Sequence, residues 1–226
     1  MVHNDMVRQE NQQLHQRIAE LEALLAISNR TQAALWCTIE DLRTANDQLL
    51  SLSIRDPLTG LYNRRYMDDM LEREYIWSQR QQSALSVMMI DVDYFRDINT
   101  RYGHDGGDAL LRALAHTLES CAFEGDIVCR YGGEEFTIIA PDTALHEALR
   151  RAEAIQACIT RLTVMHNRRC LSQVTVSIGI ATTPDHGADA QSLLCAADTA
   201  LYQAKHNGRN RIVLAGQSAL TAACVG

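Results

Sequence analysis

Two carboxylates stand side by side in the stretch Tyr131-Gly132-Gly133-Glu134-Glu135-Phe136. The runs on either side, Asp126–Arg130 and Phe136–Ala140, are short and rich in β-branched residues. The stretch therefore predicts a β-hairpin with its turn at Gly132-Gly133. Adjacent carboxylates repel unless a cation lies between them, and paired carboxylates hold hard divalent ions well. A charged tip is also what an ordinary solvent-exposed hairpin carries, so the motif takes its meaning from its company. That company begins with Asp91-Val92-Asp93, which closes the apolar run Ala84–Ile90. A run of that length is a buried strand, and carboxylates at its exit are a usual way to place a metal at a sheet edge. An Asp-x-Asp also serves as a turn or a helix cap.

The elements that must position these groups follow in order. Residues 7 to 53 contain neither proline nor glycine, and apolar residues recur there with a period of about 3.5. Leu14, Leu21, Leu35, Leu42 and Leu49 fall at d, with Ile18, Leu25 and Ile39 at a and Asn11 and Asn46 at polar a positions. This pattern predicts a long N-terminal coiled-coil helix forming a homodimer, with a weaker seam at Ser28 and Gln32. The alternative is an amphipathic helix packed on its own domain. Pro57 disfavours helix at the residue before it, which sets a domain boundary near residue 53. Asn63 is a candidate N-cap for a helix running to about Gln79. After Asp93 come a short helix over Tyr94–Asn99, then a glycine-rich connector and a second helix with Asp108 in its first turn. A helix over residues 144–162, a strand over Val174–Ala181, a last helix opened by Asp189 or Ser192 and ended at Gly208, and an edge strand over Arg209–Leu214 complete the domain. Strands separated by helices make an α/β sandwich, one mixed sheet with helices packed on it. The expected domains are 1–53, 54–214 and a flexible tail, 215–226.

In such a sheet the first strand and the hairpin can be neighbours, so that Asp91 and Glu134 converge. With the strand-end carbonyl of Val92 they form a hard oxygen site suited to Mg²⁺. A pair of such ions stabilises both attacking and leaving oxygens at phosphorus. Lys205 and Arg209, at a helix end and in the turn after it, are placed to reach phosphate oxygens. No G-x-x-x-x-G-K-[ST] loop is present, which excludes the P-loop solution. Net charge of −7 argues against nucleic acid or an anionic membrane surface as a partner. No apolar run reaches the roughly 18 residues of a membrane span, and no signal peptide is apparent. The 7 cysteines (37, 121, 129, 158, 170, 195, 224) form no Cys-x-x-Cys pair, as expected for scattered free thiols in a cytoplasmic protein.

Taken together, Asp56–Arg65, Asp91–Asp108, Gly132–Phe136, Val174–Ala181 and Ala197–Arg211 resemble the successive motifs of the GGDEF family, the diguanylate cyclases. The resemblance implies a palm-like sheet and condensation of two GTP into cyclic di-GMP with release of pyrophosphate. It implies that Asp91, the Val92 carbonyl and Glu134 hold two Mg²⁺ or Mn²⁺ ions per active half-site, with Glu135 joining or supporting them. Asn99 and Asp108 would read the guanine edge, which suits an amide and a carboxylate, although both are also helix-cap residue types. Lys205, Arg209 and the backbone amides of Phe95 and Arg96 would meet phosphates, and Gly132-Gly133 would let the ribose and α-phosphate lie close. The base for the attacking hydroxyl would be Glu134 or a metal-bound water. Because each half-site holds one GTP, two domains must face each other, a requirement the heptad stalk meets. An Arg-x-x-Asp product-inhibition site is frequent in the family, and here Asp126 stands with Phe123 in the arginine position, so weak or absent product inhibition is expected. Thr100 and Arg96 replace the usual Asp and Lys. With no sensor segment before the stalk, a separate regulatory protein binding residues 1–53 is expected. The competing readings are a catalytically weak domain that binds GTP or cyclic di-GMP, and a coiled-coil scaffold.

Overall fold

The structure is a computed structural model describing residues 14–17, 25, 29, 32, 35–36, 38–40, 42–44, 54–167, 169–171 and 173–216. The chain divides into two compact units, Met1–Ser53 and Ile54–Gly226. The described residues before Ser53 are helical and exposed, the apolar seam residues Leu14, Leu25, Leu35, Ile39 and Leu42 among them. Gln32 of the weaker seam is likewise helical and exposed, and the rest of the heptad pattern, Ser28 included, lies outside the described residues.

The second unit is built on a six-stranded sheet in the order β1-β3-β4-β2-β7-β8. Its strands are β1 (Tyr62–Asn63), β2 (Leu85–Val92), β3 (Ile127–Gly132), β4 (Glu135–Pro141), β7 (Val176–Thr182) and β8 (Ile212–Leu214). The four inner strands pair antiparallel, while β1 and β8 join the two edges in parallel. This is the mixed sheet flanked by helices that the sequence predicts. A separate hairpin, β5 (Val164–His166) and β6 (Arg169–Leu171), and the short edge strand β1 are not foreseen there.

Four helices cover the two faces: α1 (Arg64–Gln81), α2 (Phe95–Cys121), α3 (Leu145–Thr160) and α4 (Ala190–His206). Strand β2 is buried along its whole length. Met88, Ile90 and Val92 pack with Leu110, Leu114 and Leu118 of α2 and Ile155 of α3 on one face. Leu85, Val87 and Met89 pack with Met67 and Leu71 of α1 and Leu193 and Leu201 of α4 on the other. Each such fully buried aliphatic side chain contributes roughly 2 kcal/mol, which offsets the entropy of ordering the helices. Period two then assigns Asp91 to the face of Val87 and Met89, the α4 face.

Local signals account for the helix ends. Asn63 Oδ1 accepts from the Tyr66 amide at 3.1 Å, capping α1 as expected. Asp189 caps α4 by accepting from the Ser192 amide at 2.7 Å, and Ser192 Oγ in turn accepts from the Asp189 amide at 3.0 Å, so both candidate residues act in one capping box. Gly179 on β7 lets α4 lie close to the sheet, since a Cβ there would collide with the Ala197 carbonyl and the Leu201 amide. Ala215, next after the expected Leu214, is 8% exposed and donates to the Ile180 carbonyl at 2.7 Å, while residues 217–226 of the expected tail lie outside the described residues. Among the described residues no helix is long and apolar enough to cross a membrane, and the described cysteines are all free.

Candidate active site

The central strand ends at Asp91-Val92, and three elements meet it. Asp91 sits opposite Glu135 in the register between β2 and β4 and opposite Ser177 in that between β2 and β7. Gly132 pairs with Glu135, so the hairpin loop is Gly133-Glu134, one residue later than the expected Gly132-Gly133. A bulge between Arg130 and Gly132 causes the shift. Gly133 has φ of 53° and Glu134 does not share it, the pattern of a type II′ turn that requires glycine at its first position. The turn places the Glu134 carbonyl to accept from the Val92 amide at 3.3 Å, so the acidic tip is tied directly to the strand end.

Arg130 secures the tip from the other side. Its Nε and Nη2 donate to the Gly133 carbonyl at 3.0 and 2.7 Å, while Nη1 donates to both oxygens of Asp56 at 3.0 and 3.1 Å. Asp56 Oδ1 also accepts from the Thr59 amide and hydroxyl at 2.9 and 2.7 Å. The Asp56-Pro-Leu-Thr turn is therefore a brace for the hairpin, a role that sequence reasoning did not assign to Asp56 or Arg130.

Burial pushes the Asp91 carboxyl up to about 6; Lys205 pulls the other way, and Glu134 and Glu135 push it further. Lys205 Nζ lies 2.6 Å from Asp91 Oδ2. The close approach of α4 at Gly179 makes that reach available. Lys205 thus stands on the carboxylate, and it lines the same 340 Å³ cleft as Tyr202, His206 and Arg209. Arg209 lies over the Tyr94 ring, 4.7 Å from its centroid. Asp93 turns away from the metal role open to an Asp-x-Asp pair. It accepts from Thr175 Oγ1, Ser177 Oγ and the Asn210 amide at 2.7, 2.7 and 2.9 Å.

Helix α2 is broken at Gly103, whose φ of 77° and ψ of 169° lie outside the helix. The second leg therefore begins before Asp108, which falls past the first turn and not within it. Asn99 and Asp108 both lie inside the helix, and neither is a cap. Asn99 Oδ1 is buried without a hydrogen-bond partner. A Cβ at Gly107 would run into that oxygen and come 3.1 Å from Phe95 Cζ, so the glycine keeps a snug space around an unanswered acceptor. Such an atom costs stability unless a ligand satisfies it. Tyr94 caps α2 without a side-chain bond, which leaves the first-turn amides of Phe95 and Arg96 open to an anion.

At the Arg-x-x-Asp position the structure supplies a guanidinium that the sequence did not reveal. Arg151 of α3 donates Nη1 to Asp126 Oδ1 and Oδ2 at 3.1 and 3.3 Å and Nη2 to Glu147 Oε1 at 2.6 Å. Its Cζ lies 4.1 Å from the Phe123 ring centroid. Asp126 is thereby engaged from within the domain.

Hard oxygen donors grouped around a buried, partly uncompensated carboxylate fit a divalent ion in kind. Among the described residues, however, no three Asp, Glu, His or Cys side chains are gathered closely enough to ligate one ion. A mixed sheet with an acidic hairpin at the exit of its central strand, beside cations and an open helix start, defines a mixed α/β domain with a charged cleft at one end of its sheet. The comparisons narrow this class. Residues 53–211 match the family described as diguanylate cyclase, GGDEF domain. The chain belongs to that family. It is 45% identical over 174 residues to the response regulator PleD of Caulobacter vibrioides, covering 76% of this chain and 38% of that protein. It is 38% identical over 184 residues to the diguanylate cyclase DgcM of Escherichia coli, covering 80% of this chain and 44% of that one. The chain thus spans less than half the length of these relatives. Among solved structures it resembles the diguanylate cyclase SiaD of Pseudomonas aeruginosa in complex with its activator SiaC, with TM-score 0.71 and 36% identity over 94% of this chain and 80% of that one. It also resembles the coiled coil and GGDEF domain of DgcB from Caulobacter crescentus in complex with c-di-GMP, with TM-score 0.75 and 30% identity over 86% of this chain and 99% of that one.

Proposed function

We propose that this chain is a diguanylate cyclase that condenses two GTP into cyclic di-GMP and two pyrophosphates. One observation carries the reading: Asp91 lies opposite Glu135 in the register and the Glu134 turn is tied to Val92 at the sheet end where Lys205 reaches Asp91 and, with Arg209, lines the cleft. Asp91, the Val92 carbonyl, Glu134 and Glu135 would hold Mg²⁺ or Mn²⁺, two per half-site. When bound, the ions supply positive charge to the triphosphate and the attacking hydroxyl. The chain's own residues do the rest. Asn99 Oδ1 accepts from the guanine edge, with Asp108 beside it. Lys205, Arg209 and the amides of Phe95 and Arg96 orient the triphosphate, and the side-chain-free Gly132-Gly133 lets the α-phosphate approach the tip. The 3′-hydroxyl of one GTP attacks the α-phosphorus of the other, the bond to pyrophosphate breaks, and the hydroxyl proton passes to the Glu134 carboxylate, which Glu135 supports. Repetition on the facing domain closes the ring.

The facing domain comes from a second copy, paired through the heptads of residues 1–53. A cytoplasmic regulatory protein acts on that stalk, a reading supported by the structural likeness to SiaD crystallised with its activator. Asp126, already held by Arg151, does not serve as a product-inhibition site. The Lys205–Asp91 ion pair favours one alternative, a catalytically weak domain that binds GTP or cyclic di-GMP. The deciding experiment incubates purified protein with GTP and Mg²⁺ and follows cyclic di-GMP by chromatography, alongside Glu134→Ala. Product from the wild type and none from the variant supports the cyclase. GTP binding without product, with or without cell extract, supports the binding module.

A further inference from the structure

Arg209 stands on an unusual backbone. Gly208, Arg209 and Asn210 have φ of 107°, 60° and 46° in succession. The last two carry side chains, which left-handed backbone disfavours. Such a run persists only where its surroundings hold it, and strain of this kind gathers at functional positions. Two anchors hold this one. The Arg209 amide donates to the Ala204 carbonyl at 3.0 Å, closing the end of α4. The next amide, that of Asn210, donates to Asp93 Oδ2 at 2.9 Å.

Asp93 is itself firmly fixed. It is 4% exposed, and its amide donates to the Thr175 carbonyl at 2.9 Å. Its carboxylate also accepts from the hydroxyls of Thr175 and Ser177, both at 2.7 Å. Hydrogen bonds to a buried carboxylate are short and strong, so this is a stiff anchor. Tyr94, the next residue, presents its ring to the Arg209 guanidinium at 4.7 Å. Residues 93 and 94 therefore grip residues 210 and 209, one pair through a backbone amide and the other through side chains.

We propose that Asp93 is a positioning residue for the substrate's phosphates, acting through Arg209. Its carboxylate pins the Asn210 amide and thus the left-handed turn that delivers the guanidinium to the cleft shared with Lys205. Released from that pin, residues 209 and 210 relax toward right-handed backbone and the guanidinium leaves its place over Tyr94. Lys205 keeps its position, since it lies within α4 and is held on Asp91. The inference rests on the reading of Arg209 as a phosphate ligand.

The test is a double-mutant cycle in the full chain, read by calorimetric titration with GTP and with inorganic tripolyphosphate. Arg209→Ala and Asp93→Asn are each expected to weaken both ligands about tenfold, the scale of one charge-assisted contact. The double variant is expected to bind no more weakly than Arg209→Ala alone, because Asp93 acts through that side chain. Wild-type affinity in Asp93→Asn, or losses that multiply in the double variant, overturn the inference while leaving the phosphate reading intact. An Arg209→Ala variant that binds as the wild type does, or a wild type that binds neither ligand, overturns the phosphate reading and the inference with it. If Asp93→Asn does not fold, Thr175→Val removes one donor to the carboxylate at constant shape. It is expected to weaken tripolyphosphate about threefold in the wild type and not at all in Arg209→Ala, and an equal loss in both backgrounds overturns the inference.

Discussion

Arg130→Ala removes the brace of the acidic hairpin without removing any side chain placed against substrate. The guanidinium makes four hydrogen bonds, two to Asp56 at 3.0 and 3.1 Å and two to the Gly133 carbonyl at 3.0 and 2.7 Å. Asp56 keeps its two bonds from Thr59, and the exposed Gly133 carbonyl rehydrates, so little is left stranded. Bonds to a charged group contribute about 1.5–3 kcal/mol, and a net loss of about 2 kcal/mol is expected here. For a domain of this size that lowers Tm by roughly 4–8 °C and leaves the protein folded at 25 °C. The effect on turnover is larger in proportion. Once Arg130 is gone, the tip is tied to β2 through the 3.3 Å bond from the Val92 amide to the Glu134 carbonyl. A displacement of about 1 Å in a positioned group costs roughly 10²-fold, so cyclic di-GMP synthesis should fall by about that factor. Thr59→Val, which removes one hydroxyl bond to Asp56 but leaves the guanidinium fork intact, should lose about 1 kcal/mol and keep nearly full activity. The assays are thermal denaturation and product formation by chromatography. Arg130→Lys working at the wild-type rate would refute the argument, because an ammonium cannot hold Asp56 and Gly133 at once. The pH dependence supplies a second check. Burial raises the Asp56 carboxyl, but bonds from Thr59 and Arg130 outweigh it and hold the group below its ordinary 3.8. A depressed carboxyl stabilises the fold above the unfolded value and loses that contribution as pH falls through the folded one. The stability gap between wild type and Arg130→Ala should be constant above about pH 4 and close below it.

Other consequences follow from the same geometry. Gly107→Ala pushes a methyl into Asn99 Oδ1 and should raise KM for GTP about tenfold, with kcat changed less, in steady-state assays; an unchanged KM would remove Asn99 from base recognition. In the metal-free protein, Asp91 titrates at about 6, above its ordinary 3.8, so its contribution favours the fold at low pH and is lost as pH rises through that value. Mg²⁺ should therefore raise Tm more at pH 7 than at pH 5 by differential scanning calorimetry, and an equal rise at both would separate the ion from Asp91. Because Arg151 already occupies Asp126, micromolar cyclic di-GMP should leave the initial rate unchanged. A strong fall would mean that product still binds beside Asp126.

Much of the chemistry was legible in residue types and local order. Asp91 at the end of an apolar run, Glu134-Glu135 beside paired glycines, Asn63 before a helix and Asp189 with Ser192 are all marked by residues close to them in the chain. A peptide's own geometry reads them, so they survive without knowledge of the fold. The face on which Asp91 points was not legible, because β2 is buried on both sides and carries no polar alternation to mark it. Strand order and register decided that face, and with it the pairing to Lys205. The same is true of Arg130 on Asp56, Arg151 on Asp126 and the Asn210 amide on Asp93, each joined across a long stretch of chain. Likewise, Asn99 and Asp108 could have been caps until the break at Gly103 placed both inside the helix. The sequence by itself determined which groups are present and what elements bear them. Only the tertiary structure decided which of them meet, because hydrogen bonds and ion pairs depend on distances of a few ångströms that sheet topology and helix packing set.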